Sequence, residues 1–143
     1  MSDDSHAQWV ERRRQAVAGH AAAFQAARAA EASQARALLA DFVRRAAEAG
    51  LPPTPLVARA VSGRAVYRTR LRGWYLKSNR SVAVGEDGAF YVLQVPASWR
   101  ARFRGAVVEP AEPRLIIGAG AGDGESVPLE RLLWQRLAAG PQR

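Results

Sequence analysis

The sequence has no cysteine and only two histidines, and each shortage removes a class of chemistry. Without cysteine there is no disulfide, no thiolate metal site and no cysteine nucleophile, and the composition fits a reducing compartment. If both lie on one helix, His6 and His20 are about 21 Å apart along its axis, at about 1.5 Å per residue. They cannot share an ion within one chain, so we expect no metal site.

Long apolar runs are also missing. No segment approaches the roughly 20 apolar residues of a membrane-spanning helix, because Arg28, Glu31 and Arg36 interrupt the alanine-rich stretch. The first four residues include Asp3 and Asp4, and no apolar signal-peptide region follows them. We therefore expect a cytoplasmic protein without a membrane segment. Its 143 residues suffice for one independent hydrophobic core.

Patterns typical of catalytic sites are scarce as well. No nucleophile-elbow serine is present, and a Ser-His-Asp triad would need a histidine from the N-terminal helix. Glu86 and Asp87 occupy a predicted turn, and Glu109 and Glu112 flank prolines, so no carboxylate pair is indicated. Lys77 lies beside a Ser-Asn turn, where the burial that a Schiff-base lysine needs is not expected. The sequence favours a non-catalytic binding module, and an enzyme with an unrecognised site is an alternative.

Acidic residues are rare in the middle of the chain. The net charge is +8, and residues 51–104 hold ten Lys plus Arg against only Glu86 and Asp87. Twenty of the 21 cations are arginine, and 30 residues are alanine, as a GC-rich coding bias would produce. Arginine also grips phosphate and carboxylate in a bidentate way. The basic residues are therefore concentrated in the predicted strand region, whether coding bias or anion binding accounts for the arginines.

A basic stripe lies in this region. A period of two places Arg68, Arg70 and Arg72 on one face of a predicted strand. Such a face binds nucleic acid or acidic protein by counterion release, with an aromatic ring stacking beside it. The alternative is that long arginine side chains only cover the solvent face and shield the sheet edge. The candidate residues are Arg68, Arg70, Arg72, Trp74, Lys77 and Arg80.

A glycine-rich loop at 118–124 follows Leu-Ile-Ile and precedes a predicted helix, which is the order of a phosphate-binding turn. Its glycines are Gly118, Gly120, Gly122 and Gly124. No Lys-Ser/Thr follows, the G-x-G-x-x-G spacing is absent, and Asp123 and Glu125 would repel phosphate. We interpret the loop as a connector. A small-ligand or nucleotide-binding protein that uses it is the alternative function, and no cofactor is indicated.

Two turn signals predict the centre of the sheet. Asp87-Gly88 is typical of a two-residue hairpin turn, which needs φ > 0 at both positions. In that register Val84 faces Tyr91 and Val82 faces Leu93.

The second turn signal is Ser78-Asn79. It would pair Tyr75 with Val82 and complete a three-stranded meander that Pro96 ends. Because segment 89–95 is apolar on both sides, we expect it to be a central strand.

The N-terminal part is predicted to be helical. No proline occurs in 9–49 and alanine dominates, with Gly19 or the region of Ser33 as candidate breaks. Gly50, followed by an apolar residue and proline, predicts the helix end. The structure could therefore begin with one helix or a helical hairpin.

Residues 1–30 are predicted to be a helical extension, and 31–143 a single α+β domain. Val10, Val17 and Phe24 recur every seven residues on the extension, although alanine fills most of the stripe between them. Such a helix can pair with a copy of itself in a homodimer, or it can fold back on its own domain.

The rest of the chain completes an α+β fold. Segment 98–105 fits a short helix capped by Ser98 and ended by Gly105. Segments 106–109 and 115–118 are predicted as strands, and Ser126 as the cap of a C-terminal helix. We predict an N-terminal helix or helical hairpin, an antiparallel sheet of about five or six short strands, and a C-terminal helix packed on the sheet.

Overall fold

The structure, a computed structural model, describes residues 2–118 and 126–141. Its elements are α1 (Ser2–Glu48), β1 (Thr54–Ala60), β2 (Val66–Tyr75), β3 (Val82–Gly85), β4 (Phe90–Val92), β5 (Gln94–Val95), α2 (Trp99–Arg104), β6 (Ile116–Ile117), β7 (Val127–Pro128) and α3 (Leu129–Ala139). Five strands form a sheet in the order β4-β3-β2-β1-β5, antiparallel except between β1 and β5, and β6 pairs with β7. The predicted α+β arrangement is confirmed.

The N-terminal segment is one continuous helix rather than a hairpin. Neither Gly19 nor Ser33 interrupts α1, because the surrounding alanines favour the helix strongly. The helix ends as predicted, with Gly50 at φ +68°. The amide of Leu51 donates to the Ala46 carbonyl at 2.8 Å, and that of Gly50 to Ala47 at 3.1 Å. These two bonds form a Schellman motif that satisfies the last carbonyls of α1.

Leu93 links the two edges of the five-stranded sheet. The Leu93 amide donates to Ser81 at 2.8 Å, while its carbonyl accepts from the Arg59 amide at 2.8 Å. This residue therefore joins β4, at one edge of the sheet, to β5, at the other edge. The expectation that 89–95 is a central strand is wrong, because the chain passes from one edge to the other at Leu93. Leu93 is nevertheless fully buried, which explains the apolar character on both sides.

The hairpin between β3 and β4 has a three-residue loop instead of the predicted two-residue turn. Val84 pairs with Phe90, and the Gly85 amide donates to the Ala89 carbonyl at 2.9 Å. Gly88 takes φ +81°, the left-handed conformation that closes such a loop. The one-residue slip moves Tyr91 to the opposite face of the sheet from Val84.

The loop between β2 and β3 also shifts the predicted register by one residue. Tyr75 pairs with Ala83 rather than Val82, and the loop spans 77–81. Asn79 holds it, because its side-chain oxygen accepts from the Ser81 amide at 3.0 Å and from the Ser81 hydroxyl at 2.7 Å. The three-stranded meander is present, and these side-chain bonds, which turn signals do not reveal, set its register.

The sheet is covered on both faces. Helices α1 and α3 cover one face, around a core that includes Leu39, Phe42, Trp74, Val84, Phe90, Leu129 and Leu133. On the other face, segment 101–108 covers a second group of side chains that includes Leu56, Tyr67, Tyr75, Tyr91 and Leu93. Among the described residues, no helix combines the length and the apolar content needed to cross a membrane.

Segment 98–105 folds into the predicted short helix. The Ser98 hydroxyl accepts from the Ala101 amide at 3.3 Å, and the Gly105 amide donates to the Ala101 carbonyl at 2.9 Å. The predicted strand at 106–109 is wrong. This segment lies beside β2, where the Ala106 amide donates to the Arg68 carbonyl at 2.7 Å, but it forms no strand.

The C-terminal helix begins later than predicted. Pro128, rather than Ser126, occupies the N-cap position, and its side chain offers no capping hydrogen bond. The Leu129 amide donates instead to the Leu115 carbonyl at 2.7 Å, which satisfies one free N–H of the first turn.

We predict that removing the Tyr91 hydroxyl flattens the alkaline dependence of stability. Burial and a 2.9 Å hydrogen bond to Asp87 raise the pKa of Tyr91 from 10.0 to about 12. This stabilisation is complete below pH 10, the unfolded pKa, and is lost as pH rises towards 12. Urea unfolding from pH 8 to 11.5 should therefore show a shallower decline for Tyr91→Phe than for the parent chain. Equal slopes would contradict the prediction.

Candidate anion-binding surface

The three arginines of the basic stripe lie on one exposed face of β2. Arg68, Arg70 and Arg72 are all exposed and alternate with more buried residues. Their face continues onto β1, because Arg59 pairs with Val66, which shares the face of Arg68. The arginines alternate with more buried residues as the sequence predicts, and the pairing of β1 with β2 adds Arg59 to their face.

The three arginines differ in what they contact. The Nε of Arg72 lies 3.7 Å from a Glu86 carboxylate oxygen, and its NH2 group donates to the Pro53 carbonyl at 3.2 Å. Among the residues that the structure describes, no carboxylate lies within 4 Å of the guanidinium of Arg68 or Arg70. Arg72 is therefore tied to the fold, whereas Arg68 and Arg70 are open to an external anion.

Trp74 does not lie beside the arginines. Its side chain is only 4% exposed, and its ring packs edge-on against Phe42 with the centroids 5.6 Å apart. The indole N–H donates to the Leu51 carbonyl at 3.3 Å. Trp74 is thus a core residue beneath α1 and is not available to stack on a ligand.

Lys77 and Arg80 are also separated from the stripe. The Arg80 guanidinium carbon lies 5.3 Å from the ring centroid of Tyr75, whose side chain is on the opposite face of β2 from Arg70. Lys77 is half-buried in the loop that follows β2. Closeness in the sequence does not make these two cations part of the same surface.

The structure adds a residue from α2 as a neighbour of part of the stripe, although segment 101–108 covers the opposite face of β2. Arg104 lines the same groove as Arg68 and Arg70, with a volume of about 700 Å³. The other lining residues are Thr69, Leu71, Gly105, Ala106, Val107 and Val108. The groove is thus lined by three arginine residues and by an apolar wall that includes the exposed Val107.

Gly105 makes this approach feasible. It adopts φ +84°, and a Cβ at this position would lie 2.8 Å from the Arg68 carbonyl oxygen. Only glycine fits such a contact, and it places the end of α2 against β2. The sequence predicts Gly105 as a helix end, but its contact with Arg68 joins segments more than thirty residues apart, which local patterns do not reveal.

The glycine-rich loop contributes little to the described structure. Gly118 is buried with φ +135°. Gly120, Gly122 and Gly124 lie outside the described residues, so the alternative ligand loop is neither supported nor opposed.

The chemistry of these side chains is that of anion binding. Guanidinium groups stay charged and donate fixed, forked hydrogen bonds to phosphate or carboxylate. No protein-family model matches the sequence, and no curated protein or solved structure is significantly similar to it. The function must therefore be argued from these side chains.

Proposed function

We propose that the protein is a non-catalytic binding module of the cytoplasm that holds an anionic partner in the groove between β2 and the end of α2. The observation that carries this proposal is that Arg68, Arg70 and Arg104 line one groove. The groove-lining residues include no acidic side chain. Like charges held close together repel, and an external polyanion removes that repulsion.

Nucleic acid is the anionic partner that we propose first. A phosphate backbone presents regularly spaced charges that match arginines at alternate positions of a strand, and its binding is driven by release of counterions. The exposed Val107 gives an apolar surface beside the charges, against which an unpaired base can pack. An acidic protein segment is the alternative partner.

We predict that the triple variant Arg68→Gln/Arg70→Gln/Arg104→Gln loses most binding to mixed-sequence single-stranded RNA or DNA. Each lost phosphate contact lowers the salt slope of log K by about 0.7 for single strands, so three lost contacts should lower it by about 2. Arg72 is left unchanged because of its contacts with Glu86 and Pro53. Fluorescence anisotropy between 25 and 200 mM salt covers a concentration range on the order of one decade, so it measures both the affinity and the slope of log K against log salt.

The matched control is Arg12→Gln/Arg13→Gln/Arg14→Gln, which removes the same charge from an exposed part of α1. If both triple variants bind equally weakly, net charge alone attracts the nucleic acid and the groove is not the site. If the parent chain binds an acidic peptide but no nucleic acid, the partner is protein. Absence of binding to either at low salt would refute the proposed function.

A further inference from the structure

The exposed half of α1 carries large apolar side chains that no other helix or strand of the described structure covers. Trp9 is 55% exposed, Val17 62% and Phe24 64%. From Asp3 to Ala27 every residue of the helix is exposed, and close packing on the domain begins at Ala32. The projecting part is about 40 Å long at about 1.5 Å per residue.

The uncovered side chains share one face of the helix. At about 100° per residue, Val10, Val17 and Phe24 fall within about 40° of one another. Trp9 flanks this face. The same face becomes the core face further along, where Phe42 and Ala46 are buried against the sheet and α3. The core face of α1 therefore continues beyond the domain as a row of large apolar side chains, interrupted by Arg13 and Arg28.

We propose that a second copy of this chain covers the face, with the two α1 helices antiparallel and Val17 at the two-fold axis. Val10 and Phe24 are each seven residues from Val17, so the spacing is the same in both directions. In an antiparallel pair each Val10 therefore meets the partner's Phe24, and Val17 meets its own counterpart. A symmetric contact of this kind is the commonest arrangement of protein dimers.

The charges favour this orientation over a parallel one. Arg13 lies about 40° from Val17 on the proposed contact face, so in a parallel pair it would meet its own counterpart, and the two like charges would repel. In the antiparallel pair Arg13 lies opposite Ala21 instead.

The exposed length of α1 is the source of the contact area. A stable interface buries about 800 Å² on each partner. Because Trp9 is 55% and Phe24 64% exposed, the two rings can supply about 180 to 300 Å² on each copy, from about 150 to 250 Å² per fully buried aromatic side chain. The larger part must come from the other residues of the projecting helix, where alanines let two helices approach closely.

Sedimentation equilibrium of the full chain tests the proposal with matched variants. The parent chain should be a dimer, and Val17→Arg should weaken dimerisation at least about 100-fold, since like charges in an interface cost several kcal/mol. Ala22→Arg adds the same charge on the opposite face of α1 and should remain dimeric. Circular dichroism should show equal helix content in both variants, because both positions are exposed.

A charge-exchange experiment then tests the register. Val17→Glu alone should also be monomeric, but an equimolar mixture with Val17→Arg should form heterodimers, because opposite charges then meet at the axis. A dissociation constant of roughly 100 µM is the upper end for a weak specific dimer. If the parent chain is monomeric at that concentration, the proposal is overturned and the face belongs to a different partner. Dissociation by Ala22→Arg, or a mixture that stays monomeric, would overturn it as well.

Discussion

Replacing Gly73 by alanine is expected to unfold the domain. Gly73 is the one residue of β2 that pairs with β1, at Thr54, and also with β3, at Gly85. A Cβ on Gly73 would lie 2.0 Å from the Val84 carbonyl oxygen and 2.7 Å from the Gly85 Cα. Both are backbone atoms, so no change of side-chain rotamer relieves the overlap, and β2 and β3 must separate.

The expected loss of unfolding free energy exceeds about 4 kcal/mol, which is exceptional for a single substitution. A domain of this size has only about 5 to 15 kcal/mol in total, so Gly73→Ala should be largely unfolded or close to it. Thermal melting with near-ultraviolet circular dichroism measures this, because Trp74 and Tyr75 adjoin the site and are buried. A melting temperature within a few degrees of that of the parent chain corresponds to a loss of about 1 kcal/mol or less. That result would refute the close approach of Gly73 to the backbone of β3.

Gly19→Ala is the matched control. Gly19 lies in the middle of α1, and a Cβ there meets nothing within 4 Å. Alanine favours the helix over glycine by about 0.8 to 1.0 kcal/mol. The same chemical change should therefore destabilise the protein at position 73 and stabilise the helix at position 19.

Local patterns predict most elements of this fold but not the pairing of its strands. The Schellman end at Gly50 and the Ser98-capped helix follow from short-range chemistry and are found as predicted. The hairpin at Asp87-Gly88 is also found, but with the register one residue away. That choice is made by the Asp87 side chain, which accepts from the Ala89 amide at 3.0 Å and from the Tyr91 hydroxyl. A turn dipeptide marks the place of a hairpin, whereas side-chain bonds select its loop length.

The candidate surface could likewise be predicted only in part from the sequence. Strand alternation is a local property, so the shared face of Arg68, Arg70 and Arg72 could be predicted from the sequence. The approach of Arg104 could not, because it depends on a backbone contact between Gly105 and Arg68 across the fold. Trp74 illustrates the opposite case, since the alternation places it on the arginine face but α1 covers that end of the strand. The predicted boundary between residues 1–30 and 31–143 stays a prediction.

Phe24 and Phe42 show why helical periodicity cannot separate a core from a projecting surface. They are 18 residues apart, about five full turns, and so point in the same direction from α1. Phe42 is 1% exposed and packs on Trp74, whereas Phe24 is exposed and has Arg28 over its ring at 5.6 Å. Only the extent of the sheet and α3 distinguishes the two positions.

We predict that Phe42→Ala lowers the free energy of unfolding by about 3 to 5 kcal/mol, because it removes a buried ring and leaves a cavity between α1 and the sheet. Phe24→Ala should change it by less than about 0.5 kcal/mol, as is usual for an exposed site. Both are to be measured by urea unfolding in the Val17→Arg background, where the chain is expected to be monomeric, so that dimerisation does not contribute. In the dimeric parent background, Phe24→Ala should instead weaken self-association. A loss above about 1 kcal/mol for Phe24→Ala in the monomer would mean that the helix folds back on its own domain, and the apolar face would then have its partner within one chain.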